Sequence, residues 1–98
     1  MPKHKVSAKV WLYPGDAAWH FVTIPKKLSA TLSSKFQGKT RGWGSIPVNV
    51  ALGKSKWKTS IFPDKKSGTF LLPLKAHVRK AEGIYAEDTV SLTIEPLL

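Results

Sequence analysis

Apolar and polar residues alternate along several stretches of the chain, and this alternation predicts a β-rich fold. The alternation is clearest at 5–13 and recurs at 45–52 and 89–94. A period of two residues is typical of a strand with one buried face. Runs of β-favouring residues at 18–24, 54–62 and 69–72 bring the number of predicted strands to six.

Two stretches follow a helical period instead. In 26–36, Leu28 and Leu32 lie four residues apart among polar residues, and Leu74 and Val78 repeat that spacing before Gly83, a residue suited to a left-handed helix end. We therefore predict a mainly β fold in which six strands form a small closed or nearly closed barrel capped by two short helices.

The two halves of the chain follow the same order of strand, proline, basic helix and strand. Pro25 and Pro73, 48 positions apart, occupy corresponding places in this order. The pattern predicts one domain, 1–98, built of two degenerate halves at about 5–53 and 54–98, with the two prolines equivalent across a pseudo-two-fold axis. The alternative is that strand–proline–helix junctions are common in any small domain of this kind.

Alternation also predicts which side chains fill the barrel. Large apolar residues in phase with the strands and helices should be buried. They are Val6, Val10, Leu12, Val48, Val50, Leu52, Ile61, Phe70, Leu72, Val78, Val90, Leu92 and Ile94.

The run LPLKAHVRKAEGIYAEDTVSLTI resembles a motif of AbrB-like swapped-hairpin transcription regulators, although Glu87 stands where that motif has its second glycine. The matching residues are Pro73, Arg79, Gly83, Asp88, Val90 and Ile94.

Over nearly the whole chain, the order of AAWHFVTIP, KTSIFPDKKSGTFLLPLKAHVRKAEG and DTVSLTI resembles a small bacterial family, the domain of unknown function numbered nineteen hundred and five. Its members are often found with a YdeI-like, OmpD-associated domain. The resemblance implies a double-split β-barrel, distantly AbrB-like, and implies no established activity.

The charge balance is unusual, with 16 Lys and Arg against six Asp and Glu, a formal net charge of +10. Such a charge favours polyanion partners, nucleic acid first and acidic lipid surfaces second. Fourteen of the 16 basic residues are Lys, which weakens base-specific readout because guanine is read best by the forked guanidinium of Arg. The alternatives are a solvated basic surface or an acidic protein partner.

Chemistry for catalysis is scarce. The chain has no Cys, and its three His lack metal-ligand spacing. Asp16, Asp64 and Asp88 stand at turns or strand starts, where carboxylates usually cap backbone N–H groups. The Gly-Lys-Thr at 38–40 follows a helix, unlike a phosphate-binding loop. We therefore predict no enzyme and no catalytic, cofactor-binding or metal-binding residue.

No apolar run approaches the ~20 residues that span a bilayer. We expect no membrane insertion, a cytoplasmic location and a monomer.

The predicted function is that of a non-enzymatic module that binds nucleic acid or another polyanion through lysine-rich strand faces. The alternative is a small-ligand or protein-interaction barrel with no role in nucleic-acid binding. Candidate contacts come from strand one, strand four and the glycine-rich loop between the first helix and strand three. They are Lys5, Lys9, Lys39, Arg41, Trp43, Lys54, Lys56 and Lys58.

Overall fold

A computed structural model describes residues 3–15, 18–40 and 42–98, apart from the side chain of Trp43. All six predicted strands and both helices are present, and a short 3-10 turn at Gly42–Gly44 precedes the third strand. In chain order the elements are β1 (His4–Leu12), β2 (His20–Thr23), α1 (Lys26–Lys35), β3 (Ile46–Leu52), β4 (Ser55–Asp64), β5 (Thr69–Pro73), α2 (Ala76–Glu82) and β6 (Thr89–Pro96).

The six strands form the closed barrel that the sequence predicted, and the structure shows that it is antiparallel with the strand order β1–β2–β5–β4–β3–β6. Each long strand divides its pairing between two neighbours. β1 pairs with β6 up to Lys9 and with β2 from Val10 onward. β4 pairs with β3 up to Ile61 and with β5 from Phe62 onward. This division of both long strands is the double split.

Matching hydrogen bonds relate the two halves by a pseudo-two-fold axis. Ile24 N donates to Phe70 O at 2.8 Å, and Leu74 N donates to His20 O at 2.9 Å. Side chains of the two helices make a corresponding pair of hydrogen bonds. Ser29 Oγ on α1 donates to Ile24 O at 3.0 Å, and Arg79 Nε on α2 donates to Leu74 O, also at 3.0 Å.

The two prolines are not equivalent, so that part of the sequence prediction is wrong. The helices begin at Lys26 and Ala76, 50 positions apart, whereas the prolines are 48 apart. Pro25 is the N-cap residue of α1, and the N-cap of α2 is Lys75. Pro73 instead ends β5, where it is buried and pairs with Phe21. The boundary between the halves and their common descent stay predictions.

All but one of the predicted core residues are buried. Leu12 is the exception, with 51% of its surface exposed. Beyond Val10, β1 has left β6 and pairs only with the short strand β2, so its last residues extend past the packed interior. Leu12 has the same strand phase as Val6 and Val10, but its side chain lies beyond the packed interior of the barrel.

Pro47 lies in a central strand, although proline within a sheet usually marks an edge strand or a bulge. β3 is flanked by β4 and β6. The ladder between β3 and β6 begins one residue later, at Val48. Because Pro47 lies just outside that ladder, its missing N–H removes no ladder bond, and its carbonyl still accepts from Leu97 N at 2.9 Å.

The helices are held to the barrel by side chains that link them to strands and turns. Ser29 is buried, and its Oγ also accepts a hydrogen bond from Phe70 N of β5 at 3.0 Å. α2 ends at Gly83, whose φ of 64° is the predicted left-handed cap. Glu82 at the end of α2 accepts from Ser55 Oγ and covers Gly53 in the β3–β4 turn.

Candidate functional site

Four of the predicted contact residues lie on one outer surface of the barrel. Lys5 and Lys9 of β1, and Lys56 and Lys58 of β4, are all exposed and point away from the core. β6 and β3 lie between these two strands. We call this surface, which comprises the outer side of β1, β6, β3 and β4, the lysine face.

Strand register fixes the spacing across the lysine face. Lys56 pairs with Ala51 of β3, Ala51 pairs with Thr93 of β6, and Thr93 pairs with Lys5. These four residues therefore form one row, in which three interstrand steps separate the two lysines by roughly 14 Å. Along β1, Lys9 follows Lys5 by about 13 Å. The lysines thus flank a strip of small side chains on β6 and β3, including Ala51, Ser91 and Thr93, which we call the floor.

The floor is grooved. One groove of about 570 Å³ is lined by Lys5, Ser7, Ala51 and Ser91, among others. A neighbouring groove of about 290 Å³ is lined by side chains that include Lys3, Lys56 and Glu95.

The neighbouring row of the lysine face contains an acidic residue. Lys58 pairs with Asn49, and Asn49 pairs with Glu95 of β6. Asn49 Nδ2 donates to Glu95 Oε1 at 3.3 Å. This carboxylate subtracts one charge from the middle of an otherwise basic surface.

The remaining candidate residues do not join the lysine face as predicted. Lys54 is exposed but lies in the β3–β4 turn, because β4 begins at Ser55, so the predicted row of three lysines on one strand is reduced to two. The loop carrying Lys39 returns to the barrel at Gly44, which lies against Pro63 at the opposite end of β4. Arg41 and the side chain of Trp43 lie outside the described residues.

An aromatic cluster on the β1–β2 hairpin was not among the predicted site residues. Phe21 contacts three other rings, with centroid distances of 5.3 Å to Trp11, 5.9 Å to Tyr13 and 6.0 Å to Trp19. Trp19 and Tyr13 remain 54% and 51% exposed. Trp11 is anchored by a hydrogen bond of 2.9 Å from its Nε1 to Thr23 Oγ1. We call these four residues the aromatic platform.

The sequence did contain a signal for this platform. Trp11 and Tyr13 have the same strand phase as Lys5 and Lys9, which places them on the outer side of β1. Strand phase alone does not identify a binding surface, however, because aromatic side chains are highly buried on average.

Residues 7–94 match a protein family described as a domain of unknown function, DUF1905. The chain belongs to this family. No protein with a curated description matches it. Membership of DUF1905 assigns no activity, and the distant AbrB-like relationship stays a prediction.

The acidic residues described in this DUF1905 barrel mostly serve local structure. Asp64 accepts a hydrogen bond from Ser67 Oγ at 2.8 Å, and Asp88 accepts one from Tyr85 N at 2.8 Å. Asp88 therefore caps a backbone N–H as predicted, whereas the Asp64 carboxylate accepts from a serine hydroxyl within its turn. Asp16 lies outside the described residues. Among the residues that the structure describes, no three His, Asp or Glu side chains form a group that could hold a metal ion. None of the described helices has the length and apolarity to cross a bilayer.

Proposed function

We propose that this barrel is a non-enzymatic module that binds nucleic acid or a similar polyanion on its lysine face. One observation supports the proposal above all. The strand register brings lysines that are about fifty residues apart in the chain, such as Lys5 and Lys56, to the two sides of a single surface.

The chemistry of the surface suits a phosphate backbone. Exposed ammonium groups can neutralise the charges of phosphate groups. This neutralisation releases the counterions condensed on the polyanion, and their release drives binding. Such binding is sequence-independent and weakens steeply with salt. Small floor residues such as Ala51 and Ser91 leave the space between the lysines open to a chain of phosphates.

A non-enzymatic role is the simpler reading of the acidic residues. Asp64, Asp88 and Glu82 accept hydrogen bonds from a serine hydroxyl, a backbone N–H and a second serine hydroxyl, respectively. These partners hold turns and a helix end in place. For general acid–base catalysis, a carboxylate would instead have to lie within hydrogen-bond reach of a substrate proton.

The alternative of a small-ligand barrel has less support than binding on the outside. Val10, Val22, Ile24, Ile61 and Ile94 have no exposed surface and fill the interior of the barrel. An interaction with a protein remains the competing function, and the experiment below separates the two.

The test is a fluorescence-anisotropy titration of labelled duplex and single-stranded DNA at several salt concentrations. We expect measurable binding at low salt. The double variant K56Q/K58Q should reduce the slope of log affinity against log salt by about one to two units, because each phosphate contact contributes about 0.7 to 0.9.

The matched control is K65Q/K66Q, which removes the same charge from the β4–β5 turn. Both of these lysines are exposed. They follow Lys58 by seven and eight residues and lie beyond the end of β4 at Asp64, roughly two Debye lengths away at about 0.1 M salt. The control should leave the slope nearly unchanged. Equal losses in the two variants, or no binding by the wild type at low salt, would refute the lysine face as the site.

A further inference from the structure

We infer that the ligand is a single-stranded nucleic acid whose bases stack on the aromatic platform while its backbone follows the lysine face. The inference rests on the proposed function and specifies its ligand. It starts from the rings of the β1–β2 hairpin, which neither the predicted site nor the family assignment includes.

The platform is a continuous surface of rings on the outside of the barrel. Trp19 and Phe21 lie nearly parallel, with an interplanar angle of 9°. Trp11 and Tyr13 extend the cluster, with ring centroids 6.1 Å apart. Exposed apolar clusters of this kind on a small protein usually mark a contact surface, because leaving them in water contributes nothing to folding.

Basic side chains surround the exposed end of the platform. A groove of about 450 Å³ beside Trp19 is lined by Phe62, Lys58 and Lys75, among others. A second, smaller groove of about 220 Å³ that also reaches Trp19 is lined by Lys75 and Arg79, among others. Of the described residues that line these two grooves, none is acidic.

Lys58 belongs both to the groove beside Trp19 and to the lysine face. A bound chain can therefore pass from one surface to the other without leaving basic contacts. Stacking rings next to a basic track are the means by which proteins hold unpaired nucleic acid without reading its sequence.

Single strands fit this arrangement better than the other candidates. In a duplex both faces of each base are covered by neighbouring pairs, so the rings would have no free face to stack on. A second copy of the chain would bring its own +10 charge against Lys58, Lys75 and Arg79. An acidic peptide would satisfy the charges but makes little use of a flat pair of rings.

The experiment compares Trp19→Ala with Tyr85→Ala. Tyr85, between α2 and β6, is 74% exposed and provides a matched loss of a surface aromatic residue away from the platform. Affinity for labelled oligothymidylate should fall about tenfold in Trp19→Ala, because stacking on one base contributes roughly that factor or more. Affinity for a duplex of equal length, and the salt slope for both ligands, should be unchanged. Tyr85→Ala should bind like the wild type.

Trp19→Phe retains a stacking ring and should recover most of the lost affinity, which separates loss of stacking from loss of folding. If Trp19→Ala binds oligothymidylate as the wild type does while salt-dependent binding persists, this inference fails and the proposed function stands. If the wild type binds neither oligonucleotide nor duplex, both fail. Dimerisation of the wild type in sedimentation, abolished by Trp19→Ala, would assign the platform to a second copy and overturn the inference.

Discussion

The β1–β2 and β4–β5 hairpins occupy equivalent places in the barrel, yet their outer surfaces have little in common. Each branches from a long strand after that strand has left its first partner. The first hairpin carries the four rings of the aromatic platform. The second carries one exposed ring, Phe62, and ends in a polar turn closed by the hydrogen bond from Ser67 to Asp64.

The interiors of the two halves, by contrast, match closely. Val22 and Leu72, one from each half, pair directly, and both are fully buried. Packing constrains the inner side chains of both halves to similar sizes and phases, whereas no such constraint acts on the outer ones. The divergence of the two hairpins is therefore informative about function, and the similarity of their interiors is informative only about folding.

The largest expected effect comes from comparing a substitution in the barrel interior with one at the exposed end of β1. Leu92→Ala should lower the free energy of unfolding by about 2 to 5 kcal/mol through lost transfer energy and a cavity. Leu12→Ala should change it by no more than about 0.5 kcal/mol, because this side chain is half exposed. Denaturant unfolding measures both. Similar losses would show that the packed interior extends to the end of β1.

A second pair of substitutions compares the helices of the two halves. Ser29→Ala leaves Phe70 N buried without its hydroxyl partner and should cost about 1 to 3 kcal/mol. Arg79→Ala removes one hydrogen bond from a partly exposed side chain and should cost about 0.5 to 1.5 kcal/mol. Thermal unfolding gives the order, and a larger loss at Arg79 would contradict the view that Ser29 is the tighter of the two connections.

A substitution of Phe62 shows whether the β4–β5 hairpin contributes to the proposed binding. Phe62 lines the groove beside Trp19, is 40% exposed and, among the aromatic side chains that the structure describes, belongs to no ring pair. Phe62→Ala should weaken binding of oligothymidylate about two- to fivefold, less than Trp19→Ala does, since one partly covered ring offers a smaller stacking face. The comparison requires both titrations at the same salt concentration. A larger loss for Phe62→Ala would move the stacking site to β4.

The smallest expected effect concerns the carboxylate within the lysine face. Glu95→Gln keeps a hydrogen-bond acceptor for Asn49 and removes one negative charge. Affinity for single-stranded and duplex DNA should rise about two- to threefold at low salt, because an exposed charge several ångströms from a phosphate contributes only a few tenths of a kcal/mol in water. The gain should disappear at high salt. Unchanged affinity at low salt would place the path of the ligand away from Glu95.

The sequence predicted the barrel well because each strand carries its own evidence in its alternation. Alternation does not show which strand pairs with which. Nothing in the period of β1 marks the point at which the strand exchanges β6 for β2, so Leu12 was placed in the core. The same limit applies to Pro47, whose position relative to the end of a ladder depends on register.

The arrangement of the candidate residues, as distinct from their role, could be predicted only in part for a related reason. Lys5 and Lys56 were recognised as outward-facing, but their occurrence in one row follows only from three registers taken together. Lys54 was assigned to a strand because it continues the alternation of Lys56 and Lys58, whereas Gly53 and Lys54 form the turn. The aromatic platform was missed because large rings are buried on average, and an average does not reveal a local exception.

The ladder between β1 and β6 joins residues as distant in sequence as His4 and Ile94, whereas β3 and β4 are joined by a tight turn. Contacts between sequence neighbours form early in folding, and those that close long loops form late. The barrel should therefore close last along the β1–β6 seam, after a stage in which both strands present open edges to other chains. Lysines on such an edge discourage association between molecules. Lys5 and Lys9 would then reduce aggregation of the partly folded protein, whether or not they bind a ligand once it is folded.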